Sequence, residues 1–549
     1  MNEISALFSQ GAMAQALAKC DALANAYPDS DMVRYAQGMI RQKTGDGDGA
    51  IESYQAVVDI APNHLQALVN LGGILFAAGR APEAIEPLQR ALSLDPANHP
   101  ARNNLAHALF AAGKDKEALA EVEVALSQQG GSYELHMLNL QINDRLDRFE
   151  QSILSARRMI DLRPQERDGY LYLAANLRSL GRFEEAEAAL KQCLKALPAD
   201  LEAHAALSAV RRDPDDEAVS LAVFEKALAP GQLSQQDEIT AAFAQANLLD
   251  RAGRFDEAFP LYDRANTLKS GLESYNKPRA EKFLADTRAV FTPEFLAERA
   301  GWGDASVEPI FIVGMPRSGS TLVEQILSGH AGADGIGERG MFELLCNRDL
   351  SVENHFAGYR DRMLGLTEED VRAYGQSYLK TAGAGGRPVD KSLWNFNAIG
   401  LISLVFPKAR ILYCRRHPLD ICLSCFQQNF LPGQVPYANS FAHLIHAFEL
   451  CQSTLAYFEE VLPGRVQVVD YENLVADAEA ASAFLFDLAG LEQDAETREH
   501  TDVEKGVRTA SVWQARQPIY QTSALKWQAY EKHLAPLQEG LAGYLPAEG

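Results

Sequence analysis

Cysteines are scarce in this chain, and long apolar segments are missing. The seven cysteines among 549 residues are scattered and odd in number, and one pair, Cys422 and Cys425, lies in a predicted helix rather than in a zinc knuckle. We therefore expect free, buried thiols. No segment approaches the roughly 18 apolar residues of a membrane helix, and the N-terminus has neither a basic stretch nor a long apolar one. We expect a soluble, cytoplasmic protein that does not bind a membrane.

Basic residues are also in short supply. Lysine and arginine number 51 against 74 aspartates and glutamates, which gives a formal net charge of −23 at pH 7. Nucleic acids are poor ligands for such a chain, because neutralising phosphates requires lysine and arginine clustered over a broad face. The apolar content of 47% excludes a disordered or fibrous protein, and the length exceeds that of one ordinary core.

A period of 34 residues marks the N-terminal half. Prolines recur at this spacing or at its double, at Pro28, Pro62, Pro96, Pro164 and Pro198. Glycines recur with the same period at Gly45, Gly79, Gly113 and Gly181, and alanines follow them at Ala50, Ala84, Ala118 and Ala186. The pattern resembles the tetratricopeptide repeat, in which helix pairs stack into a solenoid with a concave groove. We expect an all-α solenoid of about seven units over residues 1–270.

The repeat is irregular near residues 201–234, and the next turn glycine, Gly253, is displaced by about four residues. We interpret this displacement as an insertion within the array. The groove predicts a protein or peptide partner, and the repeats could instead mediate a homodimer. Residues 271–306 lack the composition of a flexible linker, so we expect a helical connector there, followed by a second domain over residues 307–549.

A phosphate-binding loop opens that second domain. An apolar run ending at Val313 leads into Gly314-Met315-Pro316-Arg317-Ser318-Gly319-Ser320-Thr321 and then an apolar helix start. A strand, a glycine-flanked turn and a helix N-terminus direct backbone N–H groups at one anion. Gly314 and Gly319 have the spacing of the phosphate-binding loop of nucleoside triphosphatases. Ser320, however, occupies the position at which those enzymes have a phosphate-binding lysine. No convincing magnesium-binding Asp follows a strand, so a kinase or GTPase is disfavoured.

The segment Pro316–Thr321 resembles the 5′-phosphosulfate loop of the sulfotransferases, and among them it is nearest to the tyrosylprotein branch. The resemblance covers roughly residues 307–540. It implies an α/β, P-loop-like domain with a central parallel sheet, 3′-phosphoadenylyl sulfate (PAPS) as the sulfuryl donor, and no metal. The implied donor-binding residues of the loop are Arg317, Ser318, Gly319, Ser320 and Thr321.

Later segments match the rest of this family's donor site. Arg416 and Ser424 have the separation of the pair that binds the 3′-phosphate, with Arg415 as a substitute for Arg416. Tyr471 matches the tyrosine that stacks near the nucleotide. The resemblance also places a nucleotide-closing loop in the C-terminal stretch, where the implied donor contacts are Gln514, Arg516 and Lys526. One departure is Gln428, which stands where the tyrosylprotein enzymes have another arginine.

In addition to Arg317, the resemblance assigns the chemistry to Glu338, Lys391 and Ser511. Glu338 lies 21 residues after Arg317, as the catalytic glutamate of the family does, and His330 is the rival base. A carboxylate need only accept the acceptor's proton as the S–O bond forms. The resemblance assigns Lys391 and Ser511, together with Arg317, to the charge that grows on the departing 5′-phosphate, which a positioned cation stabilises.

These features favour a PAPS-dependent sulfotransferase with a repeat array. A protein or peptide tyrosine is the favoured acceptor, and a small phenol, carbohydrate or lipid hydroxyl remains open. The alternative of another class is a non-catalytic repeat scaffold that keeps a nucleotide site. The cations of the site must attract an anionic donor although the protein as a whole is acidic. They can do so because salt screens the repulsion from carboxylates that lie farther away than about 8 Å.

Overall fold

The computed structural model describes residues 2–210, 213–229, 231, 233–346, 358–383, 385–492 and 525–546. The chain divides into two compact units. One unit contains residues 1–177 and 188–198, and the other contains residues 178–187 and 199–549. The helices and strands of each unit are described separately.

Paired helices make up the N-terminal part of the chain. Their bounds are α1 Asn2–Ser9, α2 Met13–Ala26, α3 Asp31–Lys43, α4 Gly47–Ile60, α5 Leu65–Ala77, α6 Ala81–Leu94, α7 His99–Ala111, α8 Asp115–Gln129, α9 Tyr133–Arg145, α10 Phe149–Leu162, α11 Arg167–Ser179, α12 Phe183–Ala196, α13 Leu201–Val210, α14 Pro214–Ala227, α15 Gln235–Arg251 and α16 Phe255–Ser270. The described residues therefore form eight pairs, against the seven or so predicted, and the additional pair is the one with the short helix α1.

The turn glycines explain the repeat period. Gly79 joins α5 to α6 with a φ of 76°, a left-handed conformation that favours glycine. Within the pair, helices approach closely, because a Cβ on Gly72 would lie 2.3 Å from Cγ of Leu88. Small residues at these positions let α5 and α6 pack together, and the buried Leu71 and Leu88 belong to the core that they share.

The four-residue displacement of Gly253 arises inside one helix. Helices α11, α13 and α15 begin at Arg167, Leu201 and Gln235, which keeps the 34-residue spacing. Helix α15 has 17 residues where α11 has 13, so the insertion is about one extra helical turn within α15.

The second unit continues with an α/β region. Helices α17 Lys277–Val290 and α18 Pro293–Glu298 lie in the segment expected to connect the domains. The strands are β1 Ile310–Val313, β2 Ala333–Gly337, β3 Arg387–Asp390, β4 Arg410–Arg415 and β5 Val466–Asp470. The further helices are α19 Ser320–Ser328, α20 Met341–Cys346, α21 Tyr359–Leu364, α22 Glu368–Ala382, α23 Ile399–Val405, α24 Pro418–Phe426, α25 Phe441–Val461, α26 Tyr471–Ala476, α27 Ala478–Ala489 and α28 Ala535–Gly540. Short 3₁₀ helices span Leu393–Ala398, Pro436–Asn439, Lys526–His533 and Ala542–Tyr544.

The five strands described form one parallel sheet in the order β2-β3-β1-β4-β5. The fold class predicted from the sequence, a helical solenoid followed by an α/β domain with a central parallel sheet, is confirmed. Strand β1 is fully buried and helices cover both faces. Ile310 and Ile312 pack in the core that includes Val323 of α19, and Phe311 packs in the core on the other face, against Phe342.

The last helix pair, α15 and α16, belongs to the same compact unit as the sheet. Asn266 of α16 donates from Nδ2 to the carbonyl of Phe426, the last residue of α24, over 2.8 Å. The buried Lys269 donates from Nζ to the carbonyl of Phe430 over 2.6 Å. The final repeat thus supplies hydrogen-bond donors to the carbonyl of the last residue of α24, which has no partner within the helix, and to a carbonyl of the segment that follows.

All seven cysteines lie in the described part of the chain, where they are buried and not disulfide-bonded, as expected from the sequence. None of the described helices combines the length and the apolar character that a membrane-spanning segment requires.

Candidate functional site

Each of the five parallel strands ends just before a candidate residue. Arg317, Glu338, Lys391, Arg416 and Tyr471 follow β1, β2, β3, β4 and β5 respectively. The carboxyl ends of parallel strands meet at one edge of a sheet, where α/β proteins form their ligand sites. Candidates separated by up to 154 positions in the sequence are thus brought to one edge.

The loop after β1 has the backbone of an anion cradle. Gly314, Arg317 and Gly319 have φ values of 141°, 68° and 95°, and α19 begins at Ser320. A Cβ on Gly319 would lie 2.2 Å from Cδ2 of Tyr471, so only glycine fits between the loop and this ring. The arrangement leaves the N-terminal turn of α19 to face the carboxyl edge of the sheet.

Three hydroxyl side chains of the cradle, those of Ser318, Ser320 and Thr321, are buried. The Oγ of Ser318 is inaccessible and has no hydrogen-bond partner among the residues that the structure describes. A buried hydroxyl without a partner loses free energy, and an anion with acceptor oxygens would supply one.

The predicted 3′-phosphate motif contacts this cradle directly. Arg317 donates from Nε to Oγ of Ser424 on α24 over 2.9 Å. Arg416 donates from Nη1 to the backbone carbonyl of Arg317 over 2.9 Å, and the sulfur of Cys425 lies 3.4 Å from the carbonyl of Pro316. The two segments recognised separately in the sequence therefore form one structural element.

The two consecutive arginines have different environments. Arg416 has 9% of its side chain exposed, lies 3.9 Å from Asp420, and stacks over the ring of Tyr471 with 4.7 Å between Cζ and the ring centroid. Arg415 is 56% exposed and makes a bidentate pair with Asp470 over 2.5 and 2.8 Å. The structure thus places Arg416, and not Arg415, against the cradle.

The predicted base and the predicted cation form an ion pair. Lys391 donates from Nζ to Oε1 of Glu338, and its side chain is 1% exposed whereas that of Glu338 is 41% exposed. Lys391 also lies 4.0 Å from Oε2 of Glu324, a residue of α19. A buried ammonium requires such partners, because an unpaired buried charge is costly.

The turn after β3 is held by its own polar residues. The buried Asp390 accepts a hydrogen bond from the backbone N–H of Ser392 over 2.8 Å, and Ser392 accepts one from Gly340 N–H over 2.8 Å. Burial raises the pKa of Asp390, and the hydrogen bonds from Ser392 lower it. These contacts join the segment that carries Lys391 to the segment that carries Glu338.

The rival base is placed elsewhere. His330 follows the end of α19 opposite to the cradle, where its Nδ1 accepts from Gly332 N–H and its Nε2 lies 2.9 Å from the carbonyl of Glu492. Both ring nitrogens are engaged in local contacts, which indicates a packing role. Gln428 lies beyond the end of α24 and contacts the carbonyl of Asn429 at 3.5 Å.

Lys526 contacts the last repeat. Its Nζ lies 2.7 Å from Oδ2 of Asp250 in α15 and 3.4 Å from Oε1 of Gln427. Asp250 also accepts from the hydroxyl of Tyr530 over 2.5 Å. Ser511, Gln514 and Arg516, the other residues predicted in the closing loop, lie outside the described residues.

Two acidic residues of the site were not identified from the sequence. Glu324 lies beside Lys391, and the buried Asp420 accepts from the backbone N–H groups of Leu525 and Trp527 over 2.7 and 2.9 Å. A single carboxylate in an otherwise uncharged helix was a signal for Glu324, because α19 contains no other charged residue. No comparable signal marks Asp420, whose position follows a proline at a helix start.

Comparison with protein families identifies both parts of the chain. Residues 309–495 match the model of the sulfotransferase family. Four tetratricopeptide-repeat models match residues 35–99, 75–141, 169–196 and 239–293. The chain therefore carries a sulfotransferase-family domain together with several tetratricopeptide repeats, which supports an enzyme of the sulfotransferase type.

Two curated proteins are similar over part of their length. An uncharacterized protein of Aquifex aeolicus (strain VF5) is 30% identical over 379 residues, which are 66% of this chain and 49% of that protein. A probable biofilm formation methyltransferase, WspC, of Pseudomonas putida is 34% identical over 76 residues, which are 14% of this chain and 18% of that protein. The chain thus spans about half of the first relative and less than a fifth of the second.

Solved structures resemble the helical part. A tetratricopeptide repeat protein from Parabacteroides merdae ATCC 43184 is 17% identical, with a TM-score of 0.34, over 45% of this chain and 94% of that one. The MamA protein is 22% identical, with a TM-score of 0.30, over 30% of this chain and 91% of that one. These values are too low to support an argument about function.

Proposed function

We propose that this chain is a PAPS-dependent sulfotransferase that transfers a sulfuryl group to a hydroxyl acceptor. The observation that carries the proposal is the joined cradle, in which Arg317 contacts both Ser424 and Arg416, at the same edge of the sheet as the ion pair of Lys391 and Glu338. A donor with phosphates at both the 5′ and the 3′ positions requires cations and hydroxyls in two places. Arg416 and Ser424 would hold the 3′-phosphate, and the loop from Arg317 to Thr321 would hold the 5′-phosphosulfate.

The residues fit such a donor. The buried hydroxyl of Ser318 has no partner in the described part of the chain, and the N-terminal turn of α19 supplies backbone donors. Tyr471, against Gly319 and under Arg416, offers a ring face beside the loop. When bound, PAPS would supply an activated sulfuryl group with adenosine 3′,5′-bisphosphate as the leaving group.

Glu338 would accept the proton of the acceptor hydroxyl while the acceptor oxygen bonds to sulfur and the bond to the 5′-phosphate breaks. Its 41% exposure leaves the carboxylate open to an acceptor, whereas Lys391 is buried behind it. Lys391 and Arg317 would stabilise the charge on the departing 5′-phosphate, which a fixed cation does best in a site with little water. We assign Ser511 the same role, and Gln514, Arg516 and Lys526 contacts to the nucleotide, on the resemblance alone.

For the acceptor we propose a tyrosine of a protein or peptide. The support is the repeat array, because stacked helix pairs present a concave surface suited to extended peptides. The final repeat is also built into the catalytic unit through Asn266 and Lys269. We place the protein in the cytoplasm and propose that it needs no metal.

Parallel calorimetric titrations test this function. The full chain, without metal, is titrated with adenosine 3′,5′-bisphosphate, ATP and GTP, and the first should bind with a Kd of about 1 μM or less, equivalent to about −8 kcal/mol. Radiolabelled PAPS should then label a tyrosine peptide but not its phenylalanine counterpart. Preference for magnesium-bound ATP would refute the sulfotransferase, bisphosphate binding without transfer to any hydroxyl would favour the scaffold, and labelling of phenols or sugars alone would refute the tyrosine acceptor.

A further inference from the structure

Glu324 is the only charged residue of α19, and it lies near Lys391 and the turn that carries Glu338. Its Oε1 accepts a hydrogen bond from the backbone N–H of Gly337 over 3.0 Å, and its Oε2 lies 4.0 Å from Nζ of Lys391. Gly337 immediately precedes Glu338. One carboxylate therefore contacts the turn that presents the proposed base and also approaches the proposed cation.

Two carboxylates share one ammonium in this cluster. Lys391 is hydrogen-bonded to Glu338 and also lies near Glu324, while Asp390 adds a third carboxyl at the end of β3. Burial raises the pKa of Glu324, Lys391 lowers it, and the negative neighbours Glu338 and Asp390 raise it further. A buried carboxylate among like charges is held at a cost in free energy, so a compensating role in the site is a reasonable inference.

The shared ammonium has a consequence for proton transfer. Coulomb interactions add, so the negative charge of Glu324 offsets part of the field that the Lys391 ammonium exerts on Glu338. Without the charge of Glu324, the Glu338 carboxylate would be held more firmly in its ion pair with Lys391 and would be less available to the acceptor. The hydrogen bond to Gly337 would meanwhile keep the Glu338 turn in place if an uncharged acceptor replaced the carboxylate.

We propose that Glu324 is a positioning residue of the transfer reaction, which orients the Glu338 turn and keeps Lys391 from neutralising Glu338. The inference rests on the proposed function and deepens it. It also implies that Glu324 opposes donor binding, because its charge lies one helical turn from Ser320 in the cradle and repels phosphate. Catalysis and donor affinity should therefore respond to Glu324 in opposite directions.

The test compares the full-length wild type with Glu324→Gln, which keeps an acceptor for Gly337 N–H but removes the charge. We expect kcat to fall about tenfold or more, and its acid limb to move to lower pH. We expect the Kd for adenosine 3′,5′-bisphosphate to decrease about threefold, since one repulsive charge is lost. Glu324→Asp, which keeps the charge, should recover part of kcat. A residue with a merely structural role would weaken binding and turnover together.

Glu308→Gln is the matched control. Glu308 lies 3.9 Å from both Arg387 and Lys408, just before β1 and so at the opposite edge of the sheet, and its replacement should change neither kcat nor Kd.

Unchanged or weaker bisphosphate binding by Glu324→Gln, or an acid limb of the kcat profile that does not move, would overturn the inference. If the wild type binds bisphosphate but transfers nothing, the proposed function and the catalytic role of Glu324 both fail, and the Kd comparison decides only whether Glu324 repels the phosphate. If the wild type does not bind bisphosphate, both fail.

Discussion

Arg416 donates a hydrogen bond from Nη1 to the backbone carbonyl of Arg317 over 2.9 Å, although 99 positions separate the two residues. Arg317 has a φ of 68°, which is uncommon for a residue with a side chain and costs about 1 kcal/mol or more. The contact therefore helps to hold the cradle in a conformation that its own sequence does not favour. In the proposed donor site, Arg416 would act both as a cation and as a support for the loop.

We predict that Arg416→Ala raises the Kd for adenosine 3′,5′-bisphosphate about 30-fold or more, equivalent to about 2 kcal/mol. The variant loses a buried cation and the partner of the Arg317 carbonyl. Arg415→Ala is the control, because its exposed pair with Asp470 should contribute little, and its Kd should stay within about threefold. Calorimetric titration measures both. A larger increase in Kd for Arg415→Ala than for Arg416→Ala would show that Arg415, and not Arg416, is the donor-binding arginine.

We predict that Glu338→Gln lowers kcat about 100-fold or more while the Kd for bisphosphate changes only several-fold. Loss of a general base typically costs this much, and the amide keeps the size of the side chain. Glu369→Gln, an exposed position in α22, should leave kcat unchanged. The measurement is transfer of radiolabelled sulfate under saturating PAPS. A large loss of bisphosphate affinity in Glu338→Gln would contradict its assignment as the base.

We predict that Gly319→Ala destabilises the second unit by about 2 kcal/mol or more. The left-handed φ of 95° accounts for about 1–2 kcal/mol, and the clash of the new Cβ with Tyr471 adds to it. Gly301→Ala isolates the first contribution, since its φ is 87° and no described atom lies within 4 Å of the added Cβ. Urea unfolding in a Tyr471→Ala background should show a smaller loss for Gly319→Ala. An equal loss there would refute the steric argument.

We predict that Asp250→Ala lowers the free energy of unfolding by about 2–3 kcal/mol, because it removes a largely buried partner of both Lys526 and Tyr530. Asp256→Ala, whose partners Lys532 and His533 lie on the same C-terminal segment, should change stability little since that cluster is exposed. Thermal or urea unfolding of the full chain compares them. Equal effects would show that α15 does not stabilise the C-terminal segment.

Prediction of the strands from the sequence was incomplete for a physical reason. The apolar runs of β1, β4 and β5 are recognisable because they form buried or half-buried strands. Strand β2 reads Ala-Asp-Gly-Ile-Gly and β3 reads Arg-Pro-Val-Asp, compositions that β-propensity disfavours. Strand β3 pairs in parallel with the apolar β1, and β2 pairs in turn with β3, so both strands depend on pairing and register, which are tertiary properties.

Local pattern determined most of what the sequence revealed about this protein. The 34-residue period, the glycine-flanked loop and the spacing from Arg317 to Glu338 are short-range features. The period predicted the repeats, and the family resemblance carried by the loop and the spacings implied the α/β fold and the candidate residues. Tertiary structure alone decided that Arg416 rather than Arg415 contacts the loop, that Glu324 approaches Lys391, and that the last repeat contacts the end of α24 and the segment after it. These contacts form because the fold brings side chains that are distant in sequence within a few ångströms of one another, near the carboxyl ends of the five parallel strands. Burial then strengthens the interactions between their charges.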